Sequence, residues 1–332
     1  MKWGFDYHIY RGVVVNAHAL ACREARAPER AGQTGWTAED IPDQTGRVAV
    51  ITGADSGIGF ATAAELAAHG AHVVLAVRSC DDGRAAAAEI RRRTTEALVT
   101  VQVIELSSLE SIDCAAAELH ETFDRIDLLV NNAAMMGGPR STTLDGFEMH
   151  FGANHLGHFA LTGLLLGHLL STPWSRIVTL SSAAHRLRPN IDFADLHSAR
   201  KYTPNRAYAQ SKLSNLLFTY ELQRRLAAAD SSAAALAAHP GGTRGGVSRN
   251  PSTPVRLVDG LLQSPQMGAL PTLRAATDPT AVGGQFYGPR GFLEVSGQPK
   301  LVRSSPASHD RDLQRKLWAV SEELTGVTFP TL

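Results

Sequence analysis

Net charge is what this sequence most plainly lacks: 32 basic residues balance 32 acidic ones over 332 positions. Without a net field there is no general attraction for nucleic acid or an anionic membrane, so small-molecule partners bound in pockets are expected. Cysteine is scarce too. Cys22, Cys80 and Cys114 are odd in number and far apart, which fits neither a disulfide framework nor zinc-ligand spacing and points to a reducing cytoplasm. No run of about 18 apolar residues occurs, which argues against a spanning helix. The apolar part of residues 12–20 is short and broken by Asn16 and His18, so residues 1–33 read as a leader or added arm rather than a signal peptide.

What is present is an alternation. The composition is 44% hydrophobic, ample for a buried core. From about residue 46, short β-branched runs alternate with longer alanine-rich amphipathic stretches, the pattern of a parallel sheet covered by helices. Strands are expected at 47–52, 72–77, 99–104, 126–131, 176–181, 233–238 and 284–287. Helices are expected at 57–69, 82–95, 109–123, from after Asp145 through Asn154 to 170, at 207–228, at 265–277 and within 308–326. The whole reads as one doubly wound α/β domain over 46–332, a Rossmann fold preceded by an extension over 1–45 that is poorly ordered at its start. Residues 183–206 and 240–264 break the rhythm and are expected to face substrate.

The turn Thr52-Gly53-Ala54-Asp55-Ser56-Gly57-Ile58-Gly59 follows a strand and opens a helix, the setting of a dinucleotide site. Gly53 permits the tight turn, Gly57 lets the backbone approach a pyrophosphate, and Gly59 allows close helix packing. The helix N-terminus then offers unpaired N–H groups to the phosphates. At the end of the second strand, where an acid usually meets the ribose hydroxyls of NAD, stand Val77 and Arg78. Arg78 can bond a 2′-phosphate, so NADP(H) is preferred and NAD(H) possible, with Asp81 and Asp82 near enough to compete for the arginine.

Tyr208 and Lys212, four residues apart on one helix face, are the pair that a proton donor needs. A phenol with a pKa of about 10 exchanges protons easily near neutrality only if its anion is stabilised, which a lysine ammonium can do. With the glycine turn, Asn131-Asn132-Ala133-Ala134, Asn154 and Ser181-Ser182 in the same order, the sequence resembles the short-chain dehydrogenase/reductase superfamily from about residue 46 to the C-terminus. The resemblance implies a catalytic set of Asn154, Ser182, Tyr208 and Lys212. Ser182 is taken over Ser181 because the second serine is the family's usual position. In that set Ser182 bonds the substrate oxygen, Tyr208 gives or takes its proton, and Lys212 also binds the nicotinamide ribose. Asn154 holds a water that relays protons to Lys212. The same resemblance places Gly53, Ser56, Gly57, Ile58, Gly59, Arg78, Glu105, Leu106, Asn132, Ala133, Pro240, Gly241 and Thr243 against the cofactor, with Tyr208 and Lys212.

Asn154-His155-Leu156-Gly157-His158-Phe159, the segment 176–185 and His239-Pro240-Gly241 are similar to the retinol-dehydrogenase-like branch, which implies carbonyl or alcohol substrates, often lipophilic. One departure stands out: Gly245 occupies the place of the family's nicotinamide-contacting threonine, with Thr243 two residues earlier. His155, His158, His185 and His239 lack the carboxylate or cysteine partners of a metal site, and packing roles are expected. The expected function is NADP(H)-dependent interconversion of a carbonyl and an alcohol. A catalytically silent nucleotide-binding sensor or scaffold is the alternative, and the retained Tyr208 and Lys212 argue against it. Oligomeric state is not readable.

Overall fold

Seven parallel strands, β1 (Val48–Thr52), β2 (His72–Val77), β3 (Val99–Val103), β4 (Leu128–Asn131), β5 (Arg176–Leu180), β6 (Ala234–Ala238) and β7 (Phe286–Pro289), form one sheet in the computed structural model, in the order 3-2-1-4-5-6-7. An eighth strand, β8 (Pro299–Leu301), closes the far edge antiparallel to β7. The structure describes residues 35–188, 190–244 and 262–330. Residues 1–34, Gly245 and most of the segment expected over 240–264 lie outside them.

The helices are α1 (Gly57–Ala68), α2 (Cys80–Arg93), α3 (Leu109–Thr122), the short α4 (Met149–Phe151), α5 (Gly157–Ser171), α6 (Pro204–Ala228), α7 (Pro265–Thr277) and α8 (Arg311–Thr325). Their starts are written locally. Ser79, Ser108, Thr203 and Ser264 each accept a backbone N–H three residues on, Asp310 caps α8, and prolines stand in the first turns of α6 and α7. Gly326, at φ 68°, ends α8 in the left-handed conformation.

The sheet is buried on both faces, which is why its strands read as nearly continuous apolar runs. On one side Ile51, Leu75 and Val130 pack with Leu66 of α1, Ile90 of α2 and Leu273 of α7. On the other, Val50, Leu129 and Ile177 meet Ile112 of α3, Leu165 of α5 and Leu222 of α6. Trp318 of α8 and Phe329 close over Phe159 and Phe218, with ring centroids 4.4–6.2 Å apart. Among the described residues no helix is long and apolar enough to cross a membrane.

Two expectations are corrected. The helix expected to run unbroken through Asn154 is a short α4, a π-helical segment over Gly152–Leu156 and then α5. The apolar pattern is continuous there, so periodicity gives no sign of the wider turn. The edge strand β8 was not expected, because three residues are too few to show a period. The helix expected within 308–326 is α8, which starts at Arg311 once Asp310 caps it and follows a 3-10 turn over Pro306–His309.

Candidate active site

The sheet order reverses between β1 and β4, and the loops after these two strands carry the glycine turn and the asparagine pair. This is the switch point at which doubly wound sheets bind ligands. Thr52 is the hub of that junction. Its hydroxyl accepts the backbone N–H groups of Asn132 and Ala133, both at 2.9 Å, while Asn132 Nδ2 donates to the Thr52 carbonyl at 2.7 Å. Asn132 thus reaches the turn rather than open space, and Asn131 bonds Thr162 and Thr179 inside the core.

The turn fits a dinucleotide pyrophosphate. A Cβ on Gly59 would lie 2.2 Å from the Gly53 carbonyl oxygen and 2.6 Å from Asn132 Nδ2, so the close approach there requires glycine. Gly57, at φ 57°, has nothing within 4 Å of where a Cβ would stand, which leaves its backbone open to a ligand. Unlike the four helices capped by Ser79, Ser108, Thr203 and Ser264, α1 begins at a serine that does not bond its own helix, and no acid occupies its first turn. Ser56 Oγ instead donates to Asp55 at 3.2 Å. Uncapped N–H groups at the N-terminal end of a helix suit an anion. Ile58 is partly buried behind them.

Toward the second strand the charges are mixed. Arg78 is exposed, and its Nε lies 4.0 Å from Glu105. The competitor is therefore Glu105, not Asp81 or Asp82: Asp81 faces Arg84, and Asp82 donates its N–H to the Ser79 cap. Glu105 also accepts the N–H and hydroxyl of Ser107. The Leu106 backbone lies against α5, where a Cβ on Gly157 would meet its carbonyl oxygen at 2.5 Å. Asp55, Asp82 and Glu89 line a cleft of about 410 Å³ between α1 and α2.

At the far side, β5 delivers Ser182 and α6 delivers Tyr208 and Lys212. Ser182 Oγ accepts the Ala184 N–H at 3.2 Å, which starts a 3-10 turn and fixes the side chain. Burial raises the pKa of the Tyr208 phenol, and the Ser182 side chain beside it opposes the rise. Ser181 turns the other way and donates to the Lys212 carbonyl at 2.8 Å. Lys212 is buried, donates to the Leu180 carbonyl at 3.0 Å and lies 5.7 Å from the centre of the Tyr208 ring. Burial lowers its pKa to about 7.

Asn154 sits in the π-helical segment. Its side chain brackets Met135, accepting that residue's N–H at 2.7 Å and donating to its carbonyl at 2.9 Å, and donates to Ser211 Oγ at 3.0 Å. Ser211 in turn donates to the Tyr208 carbonyl. The amide thus pins the loop after β4 to α6, a tie with no sign in the sequence beyond the asparagine itself.

Thr243 donates to the Pro240 carbonyl at 3.2 Å and is buried against Gly268. Its hydroxyl is spent inside its own loop. Gly241, at φ 67°, packs under Val295 and donates to His239 Nδ1. Arg186 pairs with Glu294, which also accepts from His239, so the chain after β5 and the end of β6 are both tied to the turn at 292–294. Burial would raise the Glu294 pKa, but these bonds hold it down to about 2. The four histidines do not converge. His155 meets Ser321, His158 meets Thr52, His185 meets Ser305 and the Ser182 carbonyl, and His239 meets Glu294.

One pair was missed at the level of sequence. Glu148 and His150, both buried, bond at 2.8 Å, and the His150 ring stands 6.4 Å from that of Tyr208. Glu148 also caps α4, accepting from the N–H groups of His150 and Phe151. An acid two residues before a histidine is too common a pattern to have revealed this.

A nucleotide-ready turn at the switch point, facing a serine–tyrosine pair beside a buried lysine, defines an oxidoreductase acting on CH–OH groups with NAD(P). The short chain dehydrogenase family model matches residues 47–250, and the chain belongs to that family. Within it the protein falls in the retinol-dehydrogenase-like branch. It is 40% identical over 299 residues to retinol dehydrogenase 13 of Homo sapiens, covering 86% of this chain and 87% of the relative. With human polyprenol dehydrogenase the identity is 36% over 309 residues, covering 90% and 91%. Among solved structures, a Mycobacterium paratuberculosis protein of unassigned function is 44% identical, with a TM-score of 0.75 over 90% of this chain and all of that one. A Beutenbergia cavernae chain, assigned as an NAD(P)-dependent gluconate 5-dehydrogenase with bound NADP, is 27% identical, with a TM-score of 0.59 over 73% of this chain and 94% of that one.

Proposed function

We propose that this protein interconverts an aldehyde or ketone and the corresponding alcohol with NADP(H), with Tyr208 as general acid and base. The observation that carries the reading is the placement of the Ser182 side chain at the Tyr208 phenol beside the buried Lys212. The nicotinamide supplies or accepts the hydride. Ser182, fixed by its bond from Ala184, polarises the substrate oxygen, and Tyr208 protonates that oxygen as it gains charge. In the reverse direction the phenolate takes the alcohol proton.

Lys212 sets the ease of that transfer. With a pKa near 7 it is about half charged at neutrality, and each proton it holds favours the phenolate a few ångströms away. Arg78 favours the 2′-phosphate of NADP(H), and the NADP-bearing relative is in keeping with this. A lipophilic substrate suits the apolar side chains exposed beside the site, Met135, Met136 and Leu187, and the retinol and polyprenol named for the relatives. The reading includes a cytoplasmic setting, which the free thiols of Cys80 and Cys114 suit.

The test is oxidation of NADPH and of NADH with a panel of short and long-chain aldehydes, ketones and quinones, together with alcohol oxidation in reverse. Carbonyl-dependent turnover, faster with NADPH, is expected. Tight NADPH binding with no turnover in either direction would favour the sensor.

A further inference from the structure

We propose that His158 is a positioning residue that couples the cofactor-binding turn to the catalytic helix pair. It is buried on α5 one turn beyond Asn154 and touches both ends of the site. Its Nδ1 lies 3.0 Å from the Asn154 main-chain carbonyl, and its Nε2 lies 2.9 Å from the Thr52 hydroxyl.

The hydrogen positions follow from the partners. A carbonyl oxygen only accepts, so Nδ1 carries the proton. Burial, with the charge of Lys212 adding to it, keeps the ring neutral, with a pKa of about 4 although the Asn154 bond opposes the shift. Nε2 is then a bare acceptor, and the Thr52 hydroxyl must donate to it. The other acceptor within reach of that hydroxyl, the Val130 carbonyl, is 3.4 Å away. With its proton committed to His158, Thr52 Oγ1 turns its lone pairs to the N–H groups of Asn132 and Ala133.

One chain of bonds therefore runs from the loop after β4, through Thr52 and His158, to the carbonyl of Asn154. From there the Asn154 side chain continues it to Ser211 and the Tyr208 backbone. Each link fixes the direction of the next. A tautomer change at His158 would leave either Asn154 O or Thr52 Oγ1 facing a group of the same polarity, at a buried position where an unmatched polar atom is costly. Asn154 lies within the π-helical segment Gly152–Leu156, and the side chain of residue 158 reaches its carbonyl.

The proposal rests on reading the Thr52 turn as the cofactor site, and its test has one arm that does not depend on that reading. In the ligand-free protein with 15N-labelled histidine, His158 is expected as the neutral Nδ1–H tautomer down to pH 5; Thr52→Val is expected to keep that tautomer, held by the Asn154 carbonyl, but to shift the Nε2 resonance to that of a nitrogen with no hydrogen-bond donor, while Thr52→Ser leaves it in place. An Nε2–H tautomer, a charged ring at pH 6, or an Nε2 resonance unmoved in Thr52→Val overturns the proposal. In the second arm, His158→Phe keeps the ring volume and breaks both bonds. NADPH binding is expected to weaken about tenfold and turnover to fall about tenfold, the scale of one or two lost hydrogen bonds. Thr52→Val is expected to do the same, and the double variant little more than either. Effects that multiply, or a folded His158→Phe protein within twofold of the parent in both properties, overturn it. Should His158→Phe fail to fold, the Thr52→Val and Thr52→Ser pair carries the comparison, and equal NADPH binding by the two overturns the coupling.

Discussion

Lys212 Nζ lies 5.7 Å from the centre of the Tyr208 ring and gives its hydrogen bond to the Leu180 carbonyl at 3.0 Å, so the lysine acts on the phenol through space. The buried amine titrates near pH 7 rather than at 10.5.

A depressed lysine pKa costs stability, and the sign can be followed. Between pH 7 and 10.5 the unfolded chain holds a proton that the folded one has lost, so stability rises with pH through that window. Below pH 7 both states are charged and the full penalty stands, on the order of 5 kcal/mol at about 1.4 kcal/mol per unit. The Lys212→Met variant is therefore expected to melt above the parent at pH 6, by less than that penalty because the bond to Leu180 is lost. The gap should close toward pH 10, while turnover falls at least a hundredfold. Melting curves for the two ligand-free proteins between pH 6 and 10 check this; a gap that is constant across the range would deny the shift.

Gly57 and Gly59 separate two roles of one turn. Gly57→Ala meets no atom but must hold φ 57°, which costs about 1 kcal/mol, and its methyl would stand in the space left for phosphate. A folded protein with a small loss of Tm and at least tenfold weaker NADPH binding is expected. Gly59→Ala drives a methyl into the Gly53 backbone, and a large loss of Tm is expected as well. Differential scanning fluorimetry with and without NADPH distinguishes them.

Arg78 is exposed and its partner Glu105 is 4.0 Å away, a pair worth little by itself. Arg78→Ala should raise KM for NADPH about ten- to a hundredfold, the worth of a charged hydrogen bond. KM for NADH should stay within about threefold. Equal effects on the two cofactors would place the 2′-phosphate elsewhere.

Asn154→Ala removes three bonds and strands the Met135 backbone. A loss of about 2 kcal/mol in stability is expected, together with a tenfold or greater fall in kcat, measured by denaturant unfolding and steady-state kinetics.

Much of this was legible because short-range chemistry and fold agree. The runs at 48–52 and 72–77 are almost wholly apolar since both faces of the sheet are covered, and Ser79, Ser108 and Ser264 mark their helices before any packing is considered. The glycines at 53, 57 and 59 could be read because each spacing has a steric reason. What stayed hidden depends on distance along the chain. Asn154 meets Met135 across 19 residues, and His155 meets Ser321 across 166; no period encodes either contact. Lys212 reads as an ordinary charge, and only its burial shows that its pKa is pushed down to about 7.

The most direct test of the account is Tyr208→Phe, which keeps the buried ring and removes the one hydroxyl said to move the proton. NADPH affinity by fluorescence titration should stay within about threefold of the parent. Carbonyl reduction, followed as NADPH consumption in a single turnover, should slow by about 100- to 10,000-fold, the usual worth of a general acid. A variant that binds NADPH and reduces the same carbonyl at the parent's rate would contradict the assignment of Tyr208, and with it the mechanism.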